Sequence, residues 1–274
     1  MRGRAQALIV AVPSAGTAFF FWVGAAAIGL VTLRKGAYEG GLLCLWSVLP
    51  AALLAWLMNP LPLMIVLCTY IMAVLLRSLA SWPAALLCAT VAGALFSAVL
   101  LFALHDYMQE FLRQYTQIFA QLEKELARQN PGQVGLLPRL GLEQMAGMFG
   151  VYVALFGVVS LVIARYWQAL LYNPGGFRQE FHALRMPAQL ALPLVFLAAL
   201  CLLNAQFEIW AWIFLVPLMI AGIALVHALA ARRKVSSVAL TAFYVALILI
   251  NPVKLLLCIA AVFDSWMDFR VRFA

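Results

Sequence analysis

The sequence predicts an all-α protein: a polytopic bundle of about eight to ten spanning or half-spanning helices, with one amphipathic helix outside the membrane. Three observations carry this. Only 10% of the 274 residues are charged while 66% are hydrophobic, too little polar surface for a soluble domain. The apolar residues gather in runs of the length a helix needs to cross a hydrocarbon core, about 20 residues. Period-two alternation is absent, which argues against a transmembrane barrel and leaves helices to satisfy the backbone in lipid.

The runs fall near 5–33, 41–58, 61–80, 82–104, 143–168, 188–204, 208–230 and 236–264. They divide the chain into N-terminal transmembrane helices (1–104), an extramembrane helix and loop (105–142), and C-terminal transmembrane helices (143–274). The first and last runs are too long for one crossing and carry prolines, Pro13 and Pro252. Proline removes a backbone donor and clashes with the preceding turn, so each marks a kink or a break. Dividing the first run at Pro13 puts Arg34, Lys35, Arg77, Arg165, Arg178, Arg185, Arg232, Arg233 and Lys234 on the same side as Arg2 and Arg4. The positive-inside rule makes that side cytoplasmic and segment 105–142 periplasmic, in a bacterial inner membrane. The last run is read either as one kinked helix or as two short ones meeting at Asn251-Pro252; only the second returns the C-terminus to the cytoplasm.

The net charge of +8 does not indicate nucleic acid. The basic residues are scattered in ones to threes beside apolar runs, where they suit lipid headgroups and topology. The N-terminal Met-Arg-Gly-Arg and short apolar stretch resemble a signal peptide, but hydrophobicity resumes through Leu33, so an uncleaved membrane segment is expected. Cys44, Cys68, Cys88, Cys201 and Cys258 each lie in an apolar run and read as small core residues.

From His105 to Asn130, Met108, Leu112, Tyr115, Phe119, Leu122 and Leu126 recur at helical spacing, with Phe111 and Ile118 widening the stripe. This is an amphipathic helix. It lies over its own bundle or the bilayer, or its seam through Leu112, Phe119 and Leu126 joins a second copy. Asn130-Pro131-Gly132 and Pro138 mark the loop after it. Small residues at i, i+4, i+8 form three faces: Ala89/Gly93/Ser97, Ala146/Gly150/Ala154 and Ala7/Ala11/Ala15. Such faces let helices approach closely, within the chain or against a partner subunit.

No metalloprotease, P-loop, nucleophile-elbow or paired intramembrane aspartate motif is present in the sequence. No enzyme activity and no cofactor are expected. The intramembrane polar residues are the candidate site, because charge at membrane depth needs a reason. Asn204, Glu208, Asn251 and Lys254 fall at the outer ends of their runs, with Trp212 and Tyr244 on the same segments. One reading is an outward pocket where Glu208 and Lys254 hold a small polar ligand under these aromatics. The other is that the two charges pair or snorkel. On the cytoplasmic side, Phe177, Phe181 and Leu184 share a face of a short helix flanked by Arg178 and Arg185. It suits the inner leaflet or a partner. Asp264 and Asp268 are read as pairing with Arg270, Arg272 or a basic loop.

Two stretches, Tyr-Asn-Pro-Gly-Gly-Phe-Arg-Gln-Glu-Phe at 172–181 and Asp-Ser-Trp-Met-Asp-Phe-Arg at 264–270, resemble the YybS-like family of bacterial membrane proteins. That family is distantly similar to the substrate-binding S components of energy-coupling-factor transporters. The resemblance implies a helical subunit that captures a small solute, with Ala7, Ala11 and Ala15 as the face meeting a transmembrane coupling subunit. The expected function is binding or transporting a small solute. The alternative is a non-transporting scaffold that self-associates through 105–130 and recruits a partner at its cytoplasmic loops.

Overall fold

The computed structural model describes residues 4–17, 19–57, 59–129 and 139–272. The loop signals at Asn130-Pro131-Gly132 and Pro138, and Arg2, lie outside these residues. The fold class is as expected: among the described residues every regular element is a helix. Five helices are long and apolar enough to cross a membrane, or up to seven if each bent pair counts as one span.

The first run is divided, but not at its proline. Pro13 lies inside α1 (Arg4–Ala15), and the next helix, α2 (Phe21–Lys35), begins at Phe21. The missing Pro13 N–H removes one bond but the helix continues another turn. It stops where the Thr17 hydroxyl donates to the Ser14 carbonyl and accepts from the Phe20 amide. The two helices form an antiparallel hairpin, α1 lying close along α2 at Gly24, where an added Cβ would meet the Ala11 carbonyl at 2.8 Å.

The hairpin is shallow. Ser160, in the middle of α7 (Leu142–Tyr172), donates its hydroxyl to the Trp22 carbonyl just after the turn. The twelve residues from Ser160 to the end of α7 span about 18 Å, well short of a hydrocarbon core of about 30 Å. Ten of the fifteen α2 residues are buried, so this short helix is the centre of the bundle, packed on α4 (Leu61–Leu79) and α7. Its glycines and alanines permit this; at Gly29 the Ala164 side chain comes within 2.9 Å of where a Cβ would stand.

Around it, α3 (Ala37–Trp56), α4 and α5 (Trp82–Ala98) run alternately up and down. The faces Ala89/Gly93/Ser97 of α5 and Ala146/Gly150/Ala154 of α7 meet each other. A Cβ on Gly93 would lie 2.6 Å from the Gly150 carbonyl, and the Ser97 hydroxyl donates to the Ala146 carbonyl at 2.9 Å. The N-terminal and C-terminal groups of helices therefore share one core. The alanine face of α1 is also internal: Ala7, Ala11 and Ala15 are buried. This corrects the expectation that it meets a partner subunit; α1 uses it to lie close on α2.

The amphipathic helix is α6 (His105–Gln129). A π-helical turn (Val99–Ala103) and a bend at Leu104 separate it from α5. Its first half docks on the bundle: Met108 is fully buried, Phe111 stacks edge-on against Phe149 at 5.0 Å, and the Tyr107 hydroxyl donates to the Ala55 carbonyl. Farther along, Leu112, Phe119 and Leu126 are half-buried, while Ile118 is 63% exposed.

Beyond α7, the short α8 (Gly176–Ala183) lies between α7 and α9 (Ala188–Leu202). A 3₁₀ turn at Glu208–Trp210 leads into α10 (Ala211–Arg232). The last run is two helices, α11 (Ser237–Leu249) and α12 (Asn251–Met267), bent by 110° with Pro252 in the first turn of the second. A final turn, α13 (Phe269–Arg272), follows. The Arg232 guanidinium donates to the Arg270 carbonyl, so α11 and α12 start and finish at the same end of the bundle. None of the α11 residues is buried.

Candidate functional site

The described basic side chains that ordered the topology gather at one end of the bundle. Arg77 and Gln168 both donate to the Leu33 carbonyl. Arg34 lies over the Tyr172 ring, 4.5 Å from its centroid. Arg165 pairs with Glu180, joining α7 to α8. Phe177 of α8 contacts the rings of Trp82, Tyr166 and Phe181, and Phe181 meets His227 of α10.

The 264–270 stretch locks at this end onto residues 182–186, the segment that follows the 172–181 stretch. Arg270 donates to the Asp264 carboxylate and to the carbonyls of His182 and Leu184. Asp264 also accepts from the Phe269 amide at 2.9 Å. Arg185 donates to the carbonyls of Asp264 and Ser265 and to the Asp268 carboxylate, all at 2.8–2.9 Å. The Ser265 hydroxyl returns a bond to the Met186 carbonyl. A guanidinium with five donors in a rigid fork suits such a junction of backbone carbonyls and carboxylate. Arg185 is thus engaged within the chain, and Arg178 is exposed.

The residues of the expected outward pocket fall into separate hydrogen-bonded sets. Glu208 accepts from Gln144 at 3.3 Å, and the same amide donates to the Ala205 carbonyl. Lys254 donates to Asn251 one turn earlier in α12. Asn204 accepts from the Gln206 amide. Tyr244 is 2.6 Å from His227, next to Phe181 of the basic end. Trp212 is half-buried in the first turn of α10, while the neighbouring Trp210 donates to the Glu143 carbonyl at 2.8 Å. Among the described residues, no three His, Cys, Asp or Glu side chains come together as a metal site.

A cavity of about 230 Å³ opens at the basic end between α1, α2, α3 and the end of α7. Leu8, Leu30, Leu42 and Leu43 form its apolar wall, Trp46 and Tyr172 flank it, and Arg34, Lys35 and Glu39 supply charge. Most of a small ligand's contact surface in such a site is apolar, with a few polar groups fixing orientation. Two cations against one anion favour a negatively charged or zwitterionic head. Arg34 and Lys35 served only as topology markers in the sequence. A usable signal was present: Lys35 and Glu39 flank the turn at Gly36, and Trp46 follows two helical turns later. Compared with known protein families, curated proteins and solved structures, the chain matches none of them.

Proposed function

We propose that this chain is an integral protein of a bacterial inner membrane that binds a small amphiphilic solute, in a role resembling that of transporter S components. The cavity between α1, α2, α3 and α7 supports this reading, because it pairs an apolar wall with Arg34, Lys35 and Glu39. The positive-inside rule puts that end in the cytoplasm. The test is native mass spectrometry of the protein extracted in mild detergent. A co-purifying amphiphile is expected in the wild type and lost in Leu42→Trp, which fills the cavity from a half-buried position. No bound molecule, or equal retention by the variant, overturns the reading.

A second reading, a self-associating scaffold, draws on the exposure of Ile118 and Leu122 on α6. A dimer in mass photometry that Ile118→Glu dissolves would favour it.

A further inference from the structure

A separate cavity of about 420 Å³ lies at the same end, bounded by Leu33 of α2, Arg77 of α4, Trp82 of α5, Arg165 and Gln168 of α7 and Glu180 of α8. Trp82 is only 6% exposed, and its indole N–H has no hydrogen-bond partner. A tryptophan at a membrane boundary ordinarily gives this proton to a headgroup or to water. Here Ser81 caps α5 and sets Trp82 in its first turn, with Phe177 of α8 edge-on to the ring at 6.4 Å. A buried donor lacking an acceptor is rare and calls for an explanation.

The charges in the cavity point to what is missing. Arg77 gives one of its donors to the Leu33 carbonyl. Arg165 gives its fork to Glu180 and a further donor to Gln168. Two guanidinium groups face one carboxylate, and the Gln168 amide is engaged at both its oxygen and its nitrogen. The cavity thus combines surplus positive charge with a lining tryptophan whose N–H is unused, and its one carboxylate, Glu180, is taken by Arg165.

We propose that this cavity binds a phosphate group, free or carried on an anionic lipid headgroup. Phosphate accepts several hydrogen bonds around one centre and pairs well with guanidinium forks. Trp82 and Arg77 are its direct donors. Glu180 competes with it for the Arg165 fork, so the ion pair between α7 and α8 loosens when the site fills.

The test measures thermal stabilisation of the full chain with two probes. One is inorganic phosphate added to protein in a neutral detergent, against chloride at equal ionic strength. The other is phosphatidylglycerol against phosphatidylcholine in nanodiscs. Stabilisation by inorganic phosphate identifies the free anion as sufficient; stabilisation by phosphatidylglycerol alone identifies the headgroup. Trp82→Phe keeps the ring and removes the donor, and it is expected to weaken the apparent affinity about tenfold, as is Arg77→Gln. Glu180→Gln frees the Arg165 fork and is expected to tighten binding, a sign that a merely structural ion pair would not produce. Lys234→Gln, an exposed cation at the same end that lines neither cavity, is expected to leave the response unchanged. No stabilisation by either probe, or an equal response in Trp82→Phe and Arg77→Gln, overturns the proposal.

Discussion

Arg270 folds back across a left-handed turn at Asp268 to pair with Asp264, and both side chains are almost wholly buried. Neither charge could be taken from water alone; each is satisfied because Arg270 also reaches two carbonyls of the 182–184 segment and Asp264 also holds the Phe269 amide. Removing one partner leaves the other buried and unpaired. Asp264→Ala is expected to destabilise the fold by about 3–5 kcal/mol, read as a lower unfolding midpoint in detergent. Arg270→Lys is expected to rescue little, since one ammonium cannot reproduce the fork. An unchanged midpoint in Asp264→Ala would contradict the role assigned to this clasp.

The meeting of α5 and α7 depends on bare backbone. A methyl added at Gly150 would lie 2.6 Å from the Gly93 carbonyl, which cannot move aside as a side chain can. Gly150→Ala is expected to cost about 1–3 kcal/mol through overpacking. Gly141→Ala is the control: its φ is −80° and its Cβ would meet only side-chain atoms at 3.5 Å or more. Thermal unfolding of both variants separates close approach from a general intolerance of alanine.

The proposed membrane orientation predicts labelling from opposite sides. In a background with the five cysteines replaced, Gln117→Cys on α6 is expected to react with an impermeant maleimide in intact cells. Lys234→Cys, in the connection between α10 and α11, is expected to react only after the membrane is opened. Reaction of both from one side would invalidate the placement of α6 opposite the basic end.

The Glu110 carboxyl, on the exposed face of α6, is lowered from 4.5 to about 2 by hydrogen bonds from Arg113 and Gln114 and by the charge of Arg113. A folded-state pKa below the unfolded one gives support that is complete above the unfolded value, near 4.5, and lost as pH falls toward 2. The first turns of α6 should therefore fray progressively between about pH 4.5 and 2. Hydrogen exchange corrected for intrinsic rates measures this. Glu110→Gln should weaken α6 at neutral pH and show a smaller change across that window.

The division into apolar helices was legible in the sequence, and position around the bundle was not. Hydropathy places Glu208 and Lys254 toward one end of their helices, but apolar runs carry no record of which helices are neighbours. The structure gives Glu208 to Gln144 and Lys254 to Asn251. Both small-residue faces on α5 and α7 were visible as packing surfaces; that they face each other was not. Charge counting divided the first run correctly, although Pro13 suggested a break one turn too early, because a helix tolerates one missing amide bond. Pairing of Asp264 and Asp268 with cations was expected, and Arg270 was a named candidate; Arg185 was covered only by the alternative of a basic loop. The two cavities draw residues from three or more helices each, which no local spacing reveals.

The uncovered helix α11 has a mechanical consequence. Its sides are apolar, none of its residues is fully buried, and only Phe243 and Leu247 on one face pack against the core. It is held by that narrow face, by the corner at Ile250 and by the Tyr244–His227 bond. With so few core contacts, its tilt is expected to follow the hydrophobic thickness of the surrounding bilayer. Thicker or thinner lipid would strain this narrow attachment before it disturbed the core, leaving α11 the part of the molecule most responsive to lateral pressure.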